Sequence, residues 1–146
     1  MTIRKMTEAD RRDVHAMMRT FYASDAVLTD GSEEIFAGDI DACLSDSPFL
    51  EGFVFCDGTA VRGYAMIAHS FSTEFGRPCV WIEDLYLEKA FRGKGAAGDF
   101  FTMLDREYPD AVHRLEAERE NERAVRAYRK NGFAELPYLE MIRNRR

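Results

Sequence analysis

Cysteine is scarce in this chain, and what there is does not pair up. Cys43, Cys56 and Cys79 are three in 146 residues, with no C-x-x-C among them. Neither a disulfide framework nor a zinc site is expected, and no metal is assigned. Long apolar runs are missing: nothing approaches the roughly 20 residues of a membrane span. The opening "MTIRKMTEADRRDV" is charged, so no signal peptide is read. A cytoplasmic protein with no membrane partner is expected. Repeats, low-complexity tracts and linkers are absent too, which leaves one domain over residues 1–146. Positive charge is in deficit, 20 Lys and Arg against 26 Asp and Glu, a net −6. That counts against nucleic acid as a partner, because phosphate backbones need a basic face. It suits steering of a cationic substrate, and equally a merely soluble surface.

What is present reads as alternating helices and strands. "TIRKM" is a short strand, and Thr7 then caps a helix with Glu8 and Asp10 in its first turn. Val14, Met17, Met18 and Phe21 recur at helical spacing. After the turn "LTDGSEE", a second helix carries Ile35, Phe36, Ile40 and Leu44. "GFVFCDGTAVRGYAMIAHSF" is two strands around the turn Asp57-Gly58. "CVWIEDLYLE" is a third strand, closed by Glu88 and apolar inside but for Glu83 and Asp84. "GAAGDFFTMLDREY" is a helix, "VHRLEAE" a strand, and "NERAVRAYRKNG" a helix ended by Gly132. "FAELPYLEMIR" closes the chain with one or two short strands. The fold class is α/β with a mixed sheet.

"FRGKGAAG", Phe91 to Gly98, is the most informative stretch. Glycines at 93, 95 and 98 spell G-x-G-x-x-G between a strand and a helix, and Glu116 lies eighteen residues on. That resembles a dinucleotide fingerprint. However, only 48 residues follow Gly98, too few for the remaining strands of such a fold. A triphosphate loop would need Ser or Thr after Lys94, where Gly95 stands. A tight turn alone explains one glycine or two, not three with two alanines. Bare backbone at a helix start is a ready anion site, so the loop is read as phosphate-binding.

A second stretch decides among phosphates. Arg92-Gly93-Lys94-Gly95-Ala96-Ala97 resembles the acetyl-CoA motif [Q/R]-x-x-G-x-[G/A] of the GNAT superfamily of N-acetyltransferases. Downstream, Asn121-x-x-Ala124-x-x-x-Tyr128-x-x-x-Gly132-Phe133 is similar to that family's second signature. "EDLYLEKAF" and the opening "IRKMTEAD" look like its fourth strand and its first strand and helix. Lys89 departs from the proline often found there, at the entry to the loop. The resemblance implies a twisted mixed sheet of six to seven strands flanked by four helices, with the fourth and fifth strands splayed. It implies acetyl-CoA as cosubstrate. The pyrophosphate would lie on backbone N–H groups of Arg92, Gly93, Lys94, Gly95, Ala96, Ala97 and Gly98. The pantetheine arm would lie along Leu85, Tyr86 and Leu87, with Asn121 touching the cofactor from the other side. A homodimer is compatible, since dimers are common in the family.

Acetyl transfer needs an amine without its extra proton, a donor for the thioester oxygen and a proton for the leaving sulfur. Glu83 and Asp84 are the only carboxylates inside their strand, and both could simply be solvated acids at a sheet mouth. Glu83 alternates in step with Leu85 and Leu87. Resemblance to small-amine acetyltransferases with a similar "IEDLY" stretch favours Glu83 as the base, with Asp84 and His69 in reserve. Tyr128 could be core, but the family signature makes it the acid. His15 and His113 read as structural. Phe71, Phe75, Tyr86 and Trp81 either wall an acceptor pocket or fill the core. The expected activity is N-acetylation of a primary amine on a small molecule. The alternatives are a protein N-terminus or lysine as acceptor, or a non-catalytic acyl-CoA-binding module.

Overall fold

In the computed structural model, which describes residues 1–145, the chain runs β1 (Thr2–Lys5), α1 (Arg11–Tyr22), α2 (Glu33–Leu44), β2 (Leu50–Asp57), β3 (Ala60–Ser72), β4 (Arg77–Leu87), α3 (Ala96–Glu107), β5 (Val112–Leu115) and α4 (Glu122–Lys130). The five strands lie in chain order across one sheet. β1 to β4 pair antiparallel, and β5 joins β4 in parallel, so the sheet is mixed.

Local chemistry explains most of the boundaries. Asp10 accepts from the Thr7 backbone N–H at 2.8 Å and is bridged to Arg4 at 2.8 Å. This locks a one-turn 3-10 segment, Glu8–Asp10, ahead of α1, so the helix starts later than Thr7 predicts. Ser32 caps α2 by accepting from the Ile35 N–H at 3.1 Å.

"GFVFC" is apolar at every position because both faces of β2 are covered. Val54 and Cys56 join Val14, Met18, Phe36 and Ile40 under α1 and α2. Phe53 and Phe55 join Ile67, Val80, Phe100 and Leu104 under α3, with Tyr128 and Phe133 of the α4 region packed beside them. Ile35, expected on the buried stripe of α2, is 53% exposed, because Phe36 and Ile40 set the face that meets the sheet.

The chain's end departs from the sequence expectation. The sheet has five strands, not six or seven, because 133–145 forms no strand. Pro137 lacks an N–H for a ladder at the middle of that segment. Beyond Phe133 its apolar side chains also find little cover: Leu139, Met141 and Ile142 stay more than four-fifths exposed. Among the described residues, no helix is long and apolar enough to cross a membrane.

Candidate active site

The sheet opens at one defined point. β4 and β5 pair from Cys79 with Val112 to Ile82 with Leu115, where β5 ends. β4 continues to Leu87. From Glu83 onward its outer edge therefore has no strand beside it, and Leu85, Tyr86 and Leu87 lie along that free edge. A bulge marks the same point. On the β3 side, Ile67 pairs with Ile82 and Met66 with Asp84, so Glu83 is opposed by no residue.

The extra residue resets the alternation. Val80 and Ile82 face α3 before it, and Leu85 and Leu87 pack against that same cluster after it. Glu83 therefore does not share a face with the leucines by simple parity, as strict alternation predicts. Asp84 is turned to the other side, toward α1.

The glycine loop follows the free edge directly. After a short 3-10 turn (Lys89–Phe91), Gly95 adopts φ +86° and α3 begins at Ala96. No side chain caps α3, so its first N–H groups are open at the positive end of the helix. Only glycine takes that φ cheaply. A Cβ on Gly98 would stand 3.0 Å from Asn131 Oδ1, so this third glycine lets the first turn of α3 meet the end of α4. Arg92 spends its side chain on the loop itself: Nε donates to the Leu87 carbonyl at 2.8 Å, and the guanidinium lies over the Tyr86 ring. Lys94 sits over Phe91. The bare, positively polarised helix start beside an unpaired strand edge fits a pyrophosphate with an extended arm.

Asn121 has a structural task, since its Oδ1 accepts from the Ala124 N–H at 3.4 Å and starts α4. Tyr128 packs edge-on against Phe101 and Phe133. Among the described residues its hydroxyl has no protein partner, yet it is not sealed from open space. Burial raises its pKa.

Acidic side chains crowd the opening. Asp84 is buried and accepts from Tyr22 and Tyr64, each at 2.8 Å. Burial raises its pKa against the pull of those two hydrogen bonds. Asp39 of α2 is half-buried, and burial together with the charge of Asp84 pushes it up to about 6. Glu83 keeps an exposed surface, but the protein around it, then Asp84, Asp39 and Glu140, raise its pKa. Glu116, just beyond the last β5 pair, is raised by burial and by a hydrogen bond to Glu140. Such a mouth favours an ammonium group, and a carboxylate raised toward neutrality is a stronger proton acceptor.

Tyr22, Asp39 and Glu140 were not singled out from sequence. Asp39 had a signal: Phe36, Asp39, Ile40 and Cys43 fall at i, i+3, i+4 and i+7, which sets one carboxylate on an apolar face.

The other candidates lie elsewhere. His69 is 2.6 Å from Glu51, which also holds Tyr108 and Lys5, in a separate surface pocket of about 510 Å³. His15 and Arg19 share Glu33, and His113 meets Asp105 at 3.3 Å. Phe71 and Phe75 are exposed and Trp81 is covered by Arg114, whereas Tyr86 stays on the free edge of β4 and packs on Tyr64 and Phe21. Among the described residues, no group of three or more His, Cys, Asp or Glu could hold a metal ion.

Residues 14–133 match the model of the acetyltransferase (GNAT) family. No curated protein matches the chain. Solved structures share its fold at low identity. A possible acetyltransferase from Clostridium difficile 630 superposes with a TM-score of 0.82 at 20% identity, covering 98% of this chain and 96% of its own. AAC(6')-Iy, in complex with the bisubstrate analog CoA-S-monomethyl-acetylneamine, gives 0.78 at 17% identity, covering 99% and 97%. The aminoglycoside antibiotic 6'-N-acetyltransferase AAC(6')-IG from Acinetobacter haemolyticus gives 0.78 at 16% identity, covering 99% of each chain.

Proposed function

The chain belongs to the GNAT acetyltransferase family, and we propose that it acetylates a primary amine of a small molecule using acetyl-CoA. One observation carries this reading. The strand edge freed where β5 stops at Leu115 runs straight into an uncapped helix start at Gly95. An extended arm and a pyrophosphate in sequence match that arrangement. Support for the acceptor comes from the acids around Glu83, which favour a cation. Neighbours of the same fold that are named for aminoglycosides add to it.

Bound acetyl-CoA supplies the acetyl group as a thioester. Glu83 takes one proton from the acceptor ammonium, directly or through water, and frees the lone pair that attacks the acyl carbon. N–H groups on the free edge of β4 are the available donors for the oxygen that becomes negative. As the C–N bond forms and the C–S bond breaks, the Tyr128 hydroxyl gives its proton to the sulfur, the second proton of the acylated nitrogen restores that hydroxyl through water, and the first leaves Glu83 for solvent. Asp84, held by two tyrosines, shapes the bulge that carries Glu83 rather than meeting substrate.

The test is thiol release from acetyl-CoA across a panel of polyamines, amino sugars, amino acids and peptides. Turnover on small amines is expected. Turnover on peptides alone would move the acceptor to protein. Binding of acetyl-CoA with no turnover on any amine would make the chain a binding module. Gly95→Asp sets a carboxylate at the helix start, so calorimetry should find coenzyme A binding abolished in a folded variant. Unchanged affinity would refute the loop assignment.

A further inference from the structure

The backbone of the loop accounts for the pyrophosphate of coenzyme A, but the molecule carries one more phosphate, on the ribose 3' position. That group is a dianion near neutral pH, and it is what separates coenzyme A from its 3'-dephospho form. The backbone N–H groups of the loop leave it without a partner. The cations around the loop differ in how far they are already used. Arg62 pairs with Glu88 at 3.3 Å and lies over Phe91. Arg92 is tied to the Leu87 carbonyl and the Tyr86 ring. Lys94 rests on Phe91.

Arg123 differs from these three. It stands in the first turn of α4 and is exposed. It takes part in no hydrogen bond, ion pair or ring contact among the described residues. Its Nη2 would be 3.2 Å from a Cβ on Gly93. A free guanidinium therefore reaches across from α4 and rests against the turn that opens the phosphate loop. Its neighbour Glu122 leans toward Arg126, at 3.9 Å, so the nearest carboxylate in sequence has another cation beside it. Gly93 has φ +75°. Its missing side chain does two things: it permits that backbone and leaves the space the guanidinium fills.

We propose that Arg123 recognises the ribose 3'-phosphate of coenzyme A and sets a preference for the 3'-phosphorylated cofactor. A planar guanidinium matches a phosphate with two parallel donors, which lysine cannot reproduce. The proposal rests on the coenzyme A reading of the loop, and the experiment separates the two. Calorimetry would compare coenzyme A with 3'-dephospho-coenzyme A on the wild type, Arg123→Gln and Arg123→Lys. The wild type should bind coenzyme A about tenfold more tightly, the size of one exposed but charge-assisted contact. Arg123→Gln should bind both ligands equally, at the wild-type affinity for the dephospho form. Arg123→Lys should recover only part of the difference. Retained discrimination in Arg123→Gln would overturn the assignment, as would a wild type that binds both ligands equally. A wild type that binds neither would overturn the coenzyme A reading, and this inference with it.

Discussion

The Tyr64 hydroxyl on β3 donates to Asp84 on β4 at 2.8 Å, with both residues buried. Tyr22 satisfies the other carboxylate oxygen from α1 at 2.8 Å. A carboxylate this deep is tolerable only with its donors in place. Tyr64→Phe keeps the ring and strands one oxygen. It should cost about 1 to 3 kcal/mol in urea unfolding and leave coenzyme A affinity unchanged. Wild-type stability in this variant would mean that the oxygen is not desolvated.

Asp39 should make stability fall as pH rises. Its folded carboxyl, at about 6, lies above the ordinary 3.8, so the folded state holds the proton more tightly. This contribution is complete below about pH 4 and is lost as pH climbs through 6. Asp39→Asn should remove that slope and be more stable than wild type at pH 8, by roughly 1 to 2 kcal/mol for a half-buried group. Thermal melts of both proteins across pH 4 to 8 check the sign. An advantage of the variant that grew on acidification would contradict it.

Glu83→Gln should lower kcat/KM by on the order of 10²-fold at neutral pH, the low end for a general base. The loss should shrink as pH rises and the amine deprotonates unaided. In the wild type, the lower inflection of the kcat/KM profile should lie above the ordinary carboxylate value of 4.5, the direction in which burial, Asp84 and Asp39 move Glu83. Asp39→Asn removes one of those charges and should shift the inflection to lower pH. A wild-type profile in Glu83→Gln would mean that the base is another residue.

Tyr128→Phe removes one hydroxyl and keeps the contacts with Phe101 and Phe133. kcat should fall about 10- to 10²-fold, while affinity for acetyl-CoA barely changes, because the proton is used only late in the reaction. A residue serving only the core would instead shift the melting temperature and leave turnover alone. Steady-state kinetics with a saturating amine, beside a melt of the same sample, distinguish the two.

Local signals were legible in the sequence wherever a residue's role depends on its near neighbours. Asp57-Gly58 marks the β2–β3 turn because Gly58 takes φ +60° there. The apolar run of β2 announces a strand covered on both faces. The absence of closing strands was not legible, because a strand exists only if an edge accepts it, and Pro137 with a four-residue β5 gives "FAELPYLEMIR" none. The parity of Glu83 was equally hidden, since the bulge is set by the register of β4 against β3, where the flanking pairs Ile67–Ile82 and Met66–Asp84 join residues far apart along the chain.

The sequence by itself determined the glycine loop. Three glycines and the absence of a capping side chain act through the backbone of Arg92 to Gly98, and dihedral freedom is a local property. It also determined the order of helices and strands through β5 and α4, through apolar periodicity and capping. Only the tertiary structure decided which acids share the mouth. Asp39, Asp84, Glu83 and Glu116 come from α2, β4 and the end of β5, and they interact only once the sheet has formed and β4 runs on past its last pair with β5, Ile82 with Leu115. Burial raises the pKa of all four, and the charges of neighbouring acids add to it for Asp39, Glu83 and Glu116, effects that depend on distance in space rather than along the chain.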